Sequence, residues 1–131
     1  MTSRVFGLLL VISIGCVGAH AQTNSTDEQS RGSDLFHACQ ASVGIADAPN
    51  GRGLSNDDYE HSEFCRGYFM AFNDFNNIHR STICIGGASV GTTIRVYVAY
   101  RDKNPKQMDG WMIEGALLAL GESYPCPASK K

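Results

Sequence analysis

The sequence predicts an all-α protein, a small bundle of four main helices with two disulfides. Three observations carry that expectation. Cys65, Phe69, Phe72 and Asn76 recur at spacings of three and four, the repeat of one helix face, and Tyr68 and Phe75 widen the stripe. Helix-start chemistry is plainest at Ser55, with Asp58 three residues on, and at Asn104 followed by Pro105. An even set of cysteines remains once an export leader is set aside, which suits internal bridges. One segment, residues 89–103, stays open at this level, because its own pattern fits a strand as well as a helix.

Residues 1–21 read as a secretory signal peptide. Arg4 supplies the charged start, Val5 to Ile14 the apolar core, and Ala19-His20-Ala21 a small-x-small cleavage site. The apolar run is too short to span a bilayer. A lipoprotein signal ending at Cys16 is the rival reading. Ser13 stands where such signals carry leucine, which argues against lipid anchoring. Cleavage after Ala21 leaves 110 of the 131 residues, enough for one domain with a modest core. Loss of Arg4 takes the formal charge from −2 to −3. A slightly acidic surface argues against nucleic acid and against anionic lipid as partners. No other stretch is long and apolar enough to be a transmembrane helix, so no membrane contact is expected after cleavage.

Of the five cysteines, Cys39, Cys65, Cys84 and Cys126 survive cleavage. An even number in an exported domain reads as two disulfides, and the count alone leaves three pairings open.

Residues 22–32 contain no apolar side chain and read as a disordered N-terminal arm. Ser33 is placed to cap a first helix over 34–43, with Leu35, Ala38, Cys39 and Ser42 on one face. The glycine-rich stretch 44–55 is a loop. The central helix covers 56–78, with Asp57, Asp58 and Glu60 at the positive end of its dipole. Gly67 weakens that helix by roughly 1 kcal/mol relative to alanine. A second backbone packed closely against it would explain the residue. A loop follows over 79–88.

In the open segment, Ile94, Val96, Val98 and Tyr100 alternate as in a strand. Ser89 could equally cap a helix with Val90, Ile94, Tyr97, Val98 and Arg101 on one face. A last helix is expected over 105–122, with a break or kink at Asp109-Gly110. From Trp111 on, Met112, Ile113, Ala116, Leu117 and Leu120 would face inward. Tyr124-Pro125-Cys126-Pro127 stops it, and 128–131 form a tail.

Taken in order, Cys65-x-Gly67-Tyr68, Asp74, Cys84-Ile85, the Ile94 to Tyr100 run, Asn104-Pro105, Ala116-Leu117 and Tyr124-Pro125-Cys126 resemble the Rap/Tai family of immunity proteins. Those are small exported proteins that neutralise peptidoglycan amidases delivered by type VI secretion. The resemblance covers residues 33–127, and the order and spacing of the motifs carry it rather than any one of them. This chain departs from the family pattern at Ala71, where a glycine is usual, and at Gly86, where a proline is usual. The resemblance implies an all-helical fold, so residues 89–103 are expected as a helix. It also implies a homodimer, a periplasmic location and an amidase effector as protein partner.

With 89–103 helical, the turn at Asn104-Pro105 makes an antiparallel hairpin whose open end brings Cys84 and Cys126 together. Cys39, on the first helix, then faces Cys65 on the central stripe. The expected bridges are therefore Cys39–Cys65 and Cys84–Cys126.

The candidate sites follow. His37, Cys39, His61 and Cys65 have the ligand types of a zinc site, but His37 and Cys39 fall on different helix faces, and an oxidising compartment favours the bridge. No metal and no cofactor is expected. Cys84 with His79 would be the nucleophilic pair of an enzyme, yet a catalytic thiol must be free, and all four cysteines pair off. No enzymatic activity is expected. Asp74 reads as a structural carboxylate near a loop. Trp111 suits either the core or an interface, and Tyr97 and Tyr100 suit the core or a dimer contact. An occluding inhibitor needs a rigid body and a presented loop. Of the loops at 44–55, 76–88 and 104–110, the second is favoured, because Cys84 holds one end and the central helix the other. Asn76, Asn77, His79 and Arg80 are the expected partner contacts. The competing reading is a periplasmic stress or chaperone-like helical protein without a toxin partner.

Overall fold

The computed structural model describes residues 31–51, 53–79, 83–107 and 109–127. The expected signal peptide, most of the N-terminal arm, Arg80 and the 128–131 tail lie outside these residues. Among the described residues the fold is four α-helices and no strand: α1 (Gly32–Asp47), α2 (Asn56–His79), α3 (Val90–Lys103) and α4 (Met112–Ser123). Short 3-10 turns at Pro49–Gly51 and Pro105–Gln107 join the first pair and the last pair.

α2 starts as its sequence requires. The Ser55 hydroxyl accepts from the Asp58 N–H at 3.1 Å, and the Asp58 carboxylate accepts from the Ser55 N–H at 2.8 Å. That reciprocal pair satisfies donors that the first turn would otherwise leave orphaned. It also holds the Asp58 carboxyl below the usual aspartate range, chiefly through the Ser55 backbone N–H. The buried face of α2 is Ser62, Cys65, Phe69, Phe72 and Asn76. Two expectations for this helix need correcting. Phe75 does not widen the stripe inward and is 60% exposed. Gly67 is not explained by a close backbone, since a Cβ there would meet nothing within 4 Å.

α1 is longer than expected at both ends. It begins at Gly32 rather than residue 34, and its N-cap is Arg31, with no side-chain cap from Ser33. Arg31 pairs with Trp111 as an isolated antiparallel bridge, and the Gly32 N–H donates to the Gly110 carbonyl at 2.7 Å. Those contacts seat two residues that the sequence assigned to the loose arm. At the other end the helix runs through Gly44 to Asp47, and Pro49 stops it. The Arg95 guanidinium there grips the Asp47 carboxylate with both nitrogens, at 2.5 and 3.0 Å. α1 lays Leu35, Ala38, Cys39 and Ser42 onto α2, its most extensive neighbour. The Cys39–Cys65 bridge forms there with Cα atoms 5.1 Å apart, both residues fully buried.

The open segment is a helix. The Ser89 hydroxyl accepts from the Thr92 N–H at 3.2 Å, so the serine caps α3. The buried residues are Thr93, Ile94, Tyr97 and Arg101, a helical set and not an alternating one. The last helix is shorter than 105–122. The chain makes one 3-10 turn after Pro105, breaks at Asp109-Gly110, and enters α4 at Met112.

The inward face of α4 differs from expectation. Gly115, Ala116, Ala119 and Leu120 are buried, whereas Ile113 and Leu117 are 48% and 46% exposed. The cause is Arg101. This arginine is only 1% exposed, and its guanidinium lies 5.9 Å from the Tyr97 ring centroid. One nitrogen donates to the Gln107 carbonyl, while Nε and Nη2 have no partner among the described residues. Only a glycine opposite leaves room for it, so α4 turns its smallest residues toward α3. A Cβ on Gly115 would sit 3.0 Å from Arg101 Nη1 and 3.3 Å from its Cζ.

Gly115→Ala should therefore destabilise the protein. The helix gain of up to about 1 kcal/mol from replacing glycine is outweighed by overpacking of about 1–3 kcal/mol. A lowered urea midpoint with unchanged slope is the expected outcome; an unchanged or raised midpoint would mean that Arg101 moves aside freely.

Candidate functional site

The segment expected to meet a partner, 76–88, begins within a helix, because α2 continues to His79, and its described remainder is 83–88. That remainder is pinned on two sides. From the last turns of α2 the Asn76 Nδ2 donates to the Ile83 carbonyl at 2.9 Å, from a buried position. On the other side Ile83 pairs with Pro125 as an isolated bridge, and the Cys84 N–H donates to the Tyr124 carbonyl at 2.8 Å. The Cys84–Cys126 disulfide joins the same two segments, with Cα atoms 4.8 Å apart. Ile83 and Ile85 on either side of Cys84 are buried in the core. The chain then reverses at Gly86, whose φ of +62° suits glycine, and the Ala88 N–H closes the turn onto Ile85 O at 3.3 Å. A proline here, as the family pattern has, could not adopt that φ.

These anchors sort the expected contact residues. Asn77 and His79 are exposed at the end of α2, and the His79 ring lies 4.2 Å from that of Phe75. Asn76 is not a surface contact, because it is buried and ties the loop down. Its place on the 69, 72, 76 spacing was the signal that it belongs inside. Arg80 lies outside the described residues. Ile78, which sequence reasoning passed over, is the most exposed large apolar side chain here, at 75%. Asp74 is exposed and faces away from the core.

The two chemical alternatives lose their thiols. Cys39 is bonded to Cys65 and Cys84 to Cys126, so neither the His37, Cys39, His61, Cys65 set nor the Cys84 and His79 pair has a free thiolate. Among the described residues no group of three or more His, Cys, Asp or Glu side chains could hold a metal ion. Nor is any helix among them long and apolar enough to cross a membrane. Tyr97 and Tyr68 carry the two strongly shifted groups. Burial pushes each phenol up to about 12, and Tyr97 belongs to the core rather than to any surface site. Trp111, weighed between core and interface, is 63% exposed.

The model of the Rap1a immunity proteins matches residues 31–126. The chain belongs to this family. No curated protein and no solved structure gives a significant match. The matched span begins at Arg31, where the structure seats the chain against Trp111, and ends at Cys126, the second half of the clasp on the loop. An immunity protein acts by binding a secreted toxin, so a protein-facing surface is the feature to seek on this fold.

Asn76→Ala should expose how much the anchor matters. It removes a buried hydrogen bond to the Ile83 carbonyl, a change that costs about 1 kcal/mol or more. Chemical denaturation should show that loss with the helical circular dichroism retained, and a stability within error of the parent would show that the loop is held without it.

Proposed function

We propose that this protein is an exported, periplasmic immunity protein that binds a peptidoglycan amidase of type VI secretion and occludes its active site, with no chemistry of its own. The observation that carries this reading is the double anchoring of 83–88, tied to α2 through Asn76 and to 124–126 through the Cys84–Cys126 bridge. A segment held before binding loses little conformational entropy on docking, which is what tight occlusion requires. Asn77 and His79 stand exposed beside it at the end of α2, next to Arg80 in the chain. The folded body needs no ligand to bring them there.

We further propose that it works as a homodimer. α2 carries a second stripe on its solvent side: Phe64, Gly67, Ala71, Phe75 and Ile78, at the three-and-four spacing of a helix-pairing seam. The stripe is symmetric about Ala71, with Phe64 and Ile78 seven residues away and Gly67 and Phe75 four away. In an antiparallel pair about a two-fold axis, Phe75 lies over the partner's Gly67, and Phe64 lies across from the partner's Ile78. An isologous interface needs this self-complementarity. It also gives Gly67, which nothing in its own fold explains, an occupant for the space above it. The two loops then lie at opposite ends of the pair.

Two measurements test these readings. Purified type VI amidase effectors, assayed on peptidoglycan, should lose hydrolysis on stoichiometric addition of the mature chain. The Asn77→Ala, His79→Ala, Arg80→Ala triple variant should inhibit at least about tenfold less, a loss of roughly 1.4 kcal/mol or more of binding energy. Undiminished inhibition by the triple variant would move the contact elsewhere. Light scattering after size exclusion should give twice the monomer mass, and Phe75→Glu should halve it. A monomeric parent protein would sink the dimer.

A further inference from the structure

The two disulfides sit in opposite environments. Cys39 and Cys65 are both 0% exposed, enclosed between α1 and α2. Cys84 is exposed and Cys126 is half-buried, at the edge of the bundle. Thiol–disulfide exchange requires a thiolate to reach a sulfur in line with the bond, so access decides which bridge reacts. We propose that Cys84–Cys126 is a clasp that a dithiol opens while the bundle stays folded, and that opening it loosens segments 83–88 and 124–127.

The step balances without any group from the protein beyond these two sulfurs. A thiolate of the dithiol attacks Cys84 Sγ and forms a mixed disulfide. The Sγ–Sγ bond breaks, and Cys126 leaves as a thiolate that takes up a proton. The second thiol of the reagent then attacks its own sulfur in the mixed disulfide and releases Cys84. The protein gains two electrons and two protons, and the dithiol leaves oxidised to its disulfide.

What remains afterwards separates this clasp from the inner bridge. Cys39–Cys65 still joins α1 to α2, and the packing of Tyr97, Arg101, Gly115 and Leu120 between α3 and α4 does not involve the opened sulfurs. The 83–88 segment, by contrast, loses its covalent tie to 124–127 and is left with non-covalent ones, among them the Cys84 to Tyr124 backbone hydrogen bond, the Asn76 to Ile83 hydrogen bond and the burial of Ile83 and Ile85. The body is therefore expected to persist, and the segments 83–88 and 124–127 to open more often. A reducing setting would then weaken toxin binding, an arm that rests on the loop being the docking surface.

The test is graded reduction of the mature protein with dithiothreitol, alkylation, and peptide mapping, with no toxin present. Cys84 and Cys126 should be alkylated at least about tenfold faster than Cys39 and Cys65. The intermediate should keep its helical circular dichroism, while amide exchange over 83–88 and 124–127 rises about tenfold or more. A Cys84→Ser/Cys126→Ser variant should show the same exchange pattern without reductant. Reduction of both bridges in step with loss of helix overturns the proposal, and so does unchanged exchange in the variant. With toxin added, weaker inhibition by the variant supports the regulatory arm. Unchanged inhibition despite faster exchange overturns that arm alone and points to a docking surface away from this loop.

Discussion

The bundle depends on Tyr97. Its side chain is fully buried and touches every helix. The hydroxyl donates to the Gly32 carbonyl at the start of α1, at 3.3 Å. The ring lies 5.2 Å from that of Phe69 on α2, and the Arg101 guanidinium of α3 covers it. On α4, a Cβ at Gly115 would sit 3.5 Å from its Cε2. A buried tyrosine needs a partner for its hydroxyl, and the Gly32 carbonyl supplies it, which ties the first turn of α1 to α3. The Arg101 guanidinium follows from the same arrangement. It is tolerated in the core because it has an aromatic face on one side, the Gln107 carbonyl at its tip and a glycine opposite.

Much of this was legible in the sequence, and the failures have physical causes. The stripe Cys65, Phe69, Phe72, Asn76 named the buried face of α2 residue by residue, and the Ser55 and Asp58 pair named its start. Both disulfides follow once the third segment is helical. That segment was ambiguous because α3 is packed on more than one side. Val96, Val98 and Tyr100 are half-buried on its flanks, so apolar residues appear at every second position as well as on the helical face. In α4 the error was to send the largest apolar residues inward. Close approach of α3 selects the smallest ones instead, a constraint set by Arg101 far along the chain.

The candidate site was legible in outline. Its anchors could be read, because a cysteine and a helix end bracket the loop. The division of labour within it could not. Asn76 is polar and lies next to a loop, so its chemistry suggested a contact, while its spacing said core. Burial sided with the spacing. The outer stripe of α2 was also present in the sequence. It was hidden because Phe75 was absorbed into the inner face, and a helix of 24 residues has room for two faces.

Trp111 has one more consequence. It is the sole tryptophan of the chain, and the structure leaves most of its side chain in water. A ring this exposed is expected to emit as a solvated indole already in the native state, with little change of colour on unfolding. What its fluorescence registers well is the arrival of another molecule on the α4 side of the bundle. The protein carries a built-in reporter that is nearly blind to its own stability and sensitive to whatever covers that face.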